Sequence, residues 1–106
     1  MYVKDAAAVI LVYDMTYADS LDGVKTWFSM VSEHLNMAKT VVALVGNKCD
    51  CNDEIQVSPQ QARHLQQEIQ AQICLEISAK QNLNIAELLN KIAELLMEQE
   101  DLRDRT

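Results

Sequence analysis

Glycine is scarce: Gly23 and Gly46 are the two in 106 residues. They stand too far apart for G-x-x-x-x-G-K-[ST], and neither precedes Lys-Ser or Lys-Thr. A backbone cradle for nucleotide phosphates is therefore excluded within these residues by composition alone. Positive charge is also short, with nine Lys and Arg against sixteen Asp and Glu, a net charge of -7 and a pI near 4.6. Binding to nucleic acid depends on neutralising phosphates, so that class is a poor fit. An anionic membrane surface is disfavoured for the same reason. The three cysteines, Cys49, Cys51 and Cys74, are odd in number and lack framework spacing, which argues against a disulfide scaffold. The Cys49-x-Cys51 pair has no second Cys/His pair at zinc-finger spacing, so reduced thiols in a cytosolic protein are expected. The longest apolar run, Ala6 to Tyr13, is too short to span a bilayer. No signal peptide is visible, and no cysteine near Arg103-Asp104-Arg105-Thr106 offers a prenylation site.

What is present fits one soluble globular domain, 49% hydrophobic and 24% charged. Three short apolar runs alternate with longer amphipathic stretches. Val9 to Tyr13, Val41 to Val45 and Ile73 to Ile77 read as strands. The first two are nearly continuous in hydrophobicity, as in a parallel α/β sheet covered on both faces. From Ser20 to about Asn36, Leu21, Val24, Trp27, Phe28, Val31 and Leu35 recur at helical spacing, with Asp19 or Ser20 available to cap the first turn. A second helix should start at Pro59, with Ser58 as N-cap and Gln61 completing a capping box, and run to about Gln70. Ala62, Leu65 and Ile69 are its inward residues. A third should start near Asn84, with Glu87 as capping partner, and bury Ile85, Leu88, Leu89, Ile92, Leu95 and Leu96. Past Glu98 it should fray or stand in solvent.

The order is β-α-β-α-β-α. Right-handed crossovers place the first two helices on one face of the sheet and leave the other face for the third. Ligands of such sheets bind beyond the carboxyl ends of the strands. Here those ends are Asp14-Met-Thr16, Gly46-Asn-Lys-Cys-Asp50 and Ser78-Ala-Lys80. Trp27 reads as packing and Asp14 as a strand-end cap. His34 and His64 lie on separate helices with no Cys or Ser partner, so no catalytic residue and no metal ligand is assigned.

Asn47-Lys48-Cys49-Asp50 after a strand matches the N-K-x-D guanine-specificity motif of small GTPases. Glu76-Ile77-Ser78-Ala79-Lys80 after the next strand matches their second base-binding motif, E-T-S-A-K, with Ile77 in place of the usual threonine. Met1-Tyr-Val-Lys-Asp-Ala6 resembles the Y-Y-x-x-A segment after the family's second switch. Leu11-Val-Tyr-Asp-Met-Thr16, with Ser20 and Trp27, is similar to the Rab branch. Four matches in order, covering nearly the whole chain, are far more specific than any one motif.

The resemblance implies an α/β fold of the three-layer, Rossmann-like P-loop NTPase type with a parallel sheet. Residues 1 to 106 would be the C-terminal half of a small-GTPase domain, carrying only its last three strands and three helices. It implies guanine binding by Asn47, Lys48, Asp50, Ser78, Ala79 and Lys80. Guanine offers N1-H and N2-H side by side, which one carboxylate accepts together. Adenine would leave Asp50 unpaired. By itself Asp50 reads as a turn former or helix cap; the neighbouring motif residues favour base recognition. The family's donor to guanine O6 is the backbone N-H of Ala79. The stems of Lys48 and Lys80 would flank base and ribose, Ser78 would steady Asp50, and Asn47 would tie its loop to the phosphate loop.

The parent's cofactor would be GTP or GDP with Mg²⁺. Nothing is expected to bind this chain tightly, since the phosphate loop, the Asp-x-x-Gly motif and both switches are missing from it. The parent would regulate vesicle traffic through effectors and exchange factors, on the cytosolic face of endomembranes by a lipidated tail. The chain itself is expected to be cytoplasmic, without nucleic-acid partners or membrane insertion. Two readings stay open: part of a Rab-type GTPase, or a non-hydrolysing α/β interaction module. A homodimer through the uncharged edge of the first strand is expected as well, because truncation would bare that edge and both faces of the sheet.

Overall fold

A computed structural model describes residues 8–34, 40–48 and 50–104, with the side chains of residues 52 and 99–104 left aside. The Met1 to Ala6 segment, the expected helix end at Leu35 and Asn36, and Cys49 lie outside the described residues. The elements are β1 (Ala8–Asp14), α1 (Ala18–Val31), β2 (Val41–Asn47), α2 (Pro59–Ile69), β3 (Ile73–Glu76) and α3 (Ile85–Asp104), with short 3-10 turns at Ser32–His34 and Asn52–Glu54. The strands lie in the order β1-β2-β3, all parallel. This is the α/β arrangement read from the sequence.

β2 is central. Val41 through Val45 are at most 1% exposed, because helices cover the strand on both faces. Val42 and Leu44 join Val9, Leu11 and Tyr13 under α1 and α2, with Val24, Phe28, Ala62, Leu65 and Ile69. Val41, Ala43 and Val45 join Ile73 and Ile77 under α3, with Leu88 and Ile92. Trp27 packs half-buried against the first of these cores. Each such aliphatic side chain contributes about 1.5–3 kcal/mol when fully buried, so the continuous run of β2 anchors both layers.

β1 departs from expectation. Its continuous apolar run predicts cover on both faces, and truncation predicts apolar surface bared on both faces of the sheet. One face is covered: Val9, Leu11 and Tyr13 are buried, while Ile10 and Val12 are 45% and 53% exposed. α3 lies over β2 and β3, and its core takes only the half-buried Ala8 from β1. The outer edge of β1 pairs with no strand among the described residues.

The helix ends show which local signals act. At α2, Ser58 Oγ accepts from Gln61 N–H at 3.2 Å and Gln61 Oε1 accepts from Ser58 N–H at 2.8 Å, with Pro59 opening the helix. This is the expected capping box. At α1 neither Asp19 nor Ser20 caps: the N-cap is Tyr17, with no side-chain bond. Ser20 instead ties the loop together. Its hydroxyl accepts from Asp14 N–H at 2.9 Å and lies within 2.7 Å of the Tyr17 carbonyl and 2.9 Å of the Asp14 carbonyl. At α3, Leu89 belongs outside the buried stripe, at 57% exposure. Leu88 and Ile92 point at the sheet, and the next residue lies about 100° around the helix, beyond a layer only two strands wide. The helix keeps its geometry to Asp104.

Candidate functional site

The carboxyl ends of the three strands bring together the loops that follow them. Gly46, the last buried residue of β2, is where Tyr13 of β1 crosses. A methyl group at Gly46 would lie 2.6 Å from Tyr13 Oη and 2.9 Å from Met15 Cγ. Tyr13 is 3% exposed, and burial, with Cys74 and Glu76 nearby, pushes its hydroxyl pKa far up. The phenol is thus a neutral packing group that dictates glycine on the neighbouring strand. Met15 N–H donates to Asn47 O at 3.0 Å, and Met15 O accepts from Gln56 N–H and Val57 N–H. The loop after β1 is thereby fastened both to β2 and to the approach to α2.

Asn47 ends β2, and its Oδ1 accepts from its neighbour Lys48 N–H at 2.8 Å and from Ala79 N–H at 3.1 Å. The second bond reaches across 32 residues of sequence and locks the two predicted base loops together. Lys48 adopts φ 72, in the left-handed region. There the chain turns sharply, and Cys51 N–H closes the turn on Lys48 O at 3.0 Å. Asp50 is half-buried in that turn. The Ser78 hydroxyl is the foremost influence holding its carboxyl below the usual carboxylate range, and Lys80 adds to it. Cys51 Sγ lies 3.9 Å from Asp50 Oδ2; the carboxylate in turn helps keep the Cys51 thiol protonated, after burial as the main cause.

The second loop closes on itself. Ser78 is fully buried, pairs through its backbone with Leu83, and accepts from Gln81 N–H with its hydroxyl at 3.1 Å. Asn82 and Asn84 occupy left-handed conformations, φ 55 and φ 61, which asparagine tolerates. The Asn84 Nδ2 donates to Glu76 O at 2.8 Å, holding the loop to the end of β3. Lys80 stands exposed at the rim.

All six predicted residues therefore lie on two linked loops at one end of the sheet. Asp14 also belongs to the site, though the sequence reading gave it only the role of a cap. It is a cap in part: Oδ1 accepts from Thr16 N–H at 2.9 Å and from the Thr16 hydroxyl at 2.6 Å. Its other oxygen, Oδ2, meets Lys48 Nζ at 2.8 Å. That contact is the first cause lowering the Asp14 pKa to about 2, and it raises that of Lys48. The parallel register sets Asp14 directly beside Asn47, a neighbour that the spacing of the motifs does not reveal. His34 and His64 are exposed and lie on neither loop; His64 meets Glu68 of its own helix at 2.9 Å.

Chemically, the arrangement offers an ionised, accessible carboxylate beside two lysine stems and a main-chain N–H, on loops whose own polar groups are bonded to each other. An acceptor approaching Ala79 N–H would share or replace Asn47 Oδ1. These features suit a flat heterocycle bearing adjacent donors. The sequence model of the Ras family matches residues 1–98. The chain is similar to the GTP-binding protein ypt2 of Schizosaccharomyces pombe, 40% identical over 98 residues, covering 92% of this chain and 48% of that protein. It is similar to Ras-related protein SEC4 of Candida albicans at 35% over 97 residues, covering 92% and 45%. With Ras-related protein Rab-31 of Mus musculus it shares 39% over 93 residues, covering 88% and 47%. The chain spans about half the length of the curated relatives it matches. With the family match, these likenesses and the two linked loops in agreement, the chain belongs to the Ras family, as a Rab-type member.

Proposed function

We propose that residues 1 to 106 are the guanine-recognising C-terminal half of a Rab-type GTPase domain. The whole protein would cycle between GDP and GTP to regulate vesicle traffic through effectors and exchange factors. The observation that carries this reading is the Asn47 bridge to Ala79 N–H beside the Ser78-steadied Asp50. It ties together the two loops that carry all six proposed base-site residues. Asp50 accepts guanine N1–H and N2–H, Ala79 N–H turns to O6, and the stems of Lys48 and Lys80 flank the ring. When bound, GTP would supply the phosphate that is cleaved, with Mg²⁺ to neutralise its charge; these 106 residues would supply the base contacts and no phosphate loop. No helix among the described residues is long and apolar enough to cross a membrane. The proposed location is the cytosolic face of endomembranes.

The purified chain should show no GTP turnover above buffer, because neither a cradle for the phosphates nor a means of placing water is encoded in it. Single-turnover hydrolysis that needs Mg²⁺ and persists through repurification would refute this.

For the 106-residue chain on its own, the proposed partner at the β1 edge is a second copy. An antiparallel pairing centred on Leu11 sets Ile10 opposite Val12 of the other copy, so the two exposed side chains meet on one face. No charge from Ala8 to Tyr13 opposes it. Sedimentation equilibrium should show a dimer with the Val9 to Tyr13 amides protected from exchange. A compact monomer whose amides there exchange freely would exclude edge pairing.

A further inference from the structure

We propose that Asp14 is a positioning residue for the base site, acting through the Lys48 ammonium. The inference rests on the guanine-recognition reading above and extends it to a residue outside both motifs.

Lys48 sits at a left-handed backbone position, so its side chain leaves the strand end in a direction that few residues adopt. A lysine carries considerable rotamer freedom, and a stem that must lie along a flat ring binds better if its far end is already fixed. Asp14 supplies that fixed point. It ends β1 directly beside Asn47 in the parallel register. Its Oδ1 is immobilised by two bonds to Thr16, which leaves Oδ2 aimed at Lys48 Nζ, 2.8 Å away. The loop carrying Asp14 is held in turn by Ser20 on its N–H and by Met15 N–H on the Asn47 carbonyl. Both partners are thus attached to hydrogen-bonded backbone. The pair is part-exposed, so its direct contribution to folding is small. Its effect lies in the orientation of the lysine stem.

Asparagine at position 14 retains an acceptor for Thr16 and removes the charge that attracts Lys48. The loop and the lysine can therefore be tested apart. The 106-residue chain, isotopically labelled, is titrated with guanosine and with adenosine by NMR, as wild type, Asp14→Asn, Lys48→Met, the double variant and Asp14→Glu. Asp14→Asn should weaken guanosine binding roughly three- to tenfold, the effect of releasing one flexible side chain. In the Lys48→Met background the same change should cost nothing further, since the group it acts through is gone. Asp14→Glu, which keeps the charge, should recover part of the loss.

Unchanged affinity in Asp14→Asn, or an equal loss in both backgrounds, overturns the proposal; the second result would assign Asp14 to loop structure alone. Asp50→Asn in the same titration separates the two readings. If it abolishes guanosine binding while Asp14→Asn is silent, only the positioning role falls. If guanosine fails to bind the wild-type chain, or binds Asp50→Asn as well as wild type, the recognition reading falls and takes this proposal with it.

Discussion

Asp50→Asn reverses the base preference of the site, weakening guanosine and favouring xanthosine by a combined factor of about 10² or more. The Asp50 carboxylate is held below the usual carboxylate range, foremost by the Ser78 hydroxyl, so it remains an anion with two acceptor oxygens throughout the neutral range. In the proposed site guanine meets it with N1–H and N2–H. An asparagine turns one acceptor into a donor, which would face the guanine N2–H group and leave both unpaired. Xanthine carries a carbonyl at that position and accepts from the new donor while keeping N1–H for the remaining oxygen. The ratio of guanosine to xanthosine affinity, measured on this chain or on a longer protein carrying the same loops, reads the effect. An unchanged ratio would remove Asp50 from base recognition.

Gly46→Ala destabilises the fold by about 2–3 kcal/mol, at the upper end of what overpacking costs. The added methyl would lie 2.6 Å from Tyr13 Oη, 2.7 Å from Tyr13 Cζ and 2.9 Å from Met15 Cγ. None of these can retreat easily, since Tyr13 and Met15 are buried and β2 is paired on both sides. The other glycine gives the opposite sign. Gly23 lies within α1 with nothing near its missing Cβ. Gly23→Ala should therefore add about 0.5–1 kcal/mol through backbone entropy and helix propensity. Equilibrium denaturant curves of the two variants should move in opposite directions with similar slopes. Equal stability of Gly46→Ala and wild type would contradict the packing described at the end of β2.

The parts of the fold readable from sequence are those whose causes are local or central. The start of α2 was legible because Ser58, Pro59 and Gln61 complete their box within four residues. β2 was legible because a strand buried on both faces can carry a continuous apolar run. β1 carries a similar run yet is covered on one face, since its coverage depends on how far α3 reaches across the sheet. Leu89 is exposed for the same reason, as the width of the layer beneath a helix cannot be read from its period. Ser20 looked like a cap by type and instead joins the Asp14 and Tyr17 backbones. In the candidate site, type and spacing single out the six motif residues, and the structure sets them on two linked loops. The bond from Ala79 to Asn47 and the contact of Lys48 with Asp14 were not legible, because each depends on side chains meeting across more than thirty residues of sequence.

The most direct test of guanine recognition follows the amide of Ala79 and its neighbours as guanosine, then adenosine, is added to the isotopically labelled chain. Affinity should be weak, around millimolar, because base contacts alone must meet the entropic cost of association. Guanosine should nevertheless produce saturable shifts confined to the loops of Asn47 to Cys51 and Ser78 to Gln81. Ala79 should move most, as its N–H leaves Asn47 Oδ1 for the guanine O6, and adenosine should leave these amides in place. Equal responses to the two nucleosides, or guanosine shifts centred elsewhere on the sheet, would contradict the account.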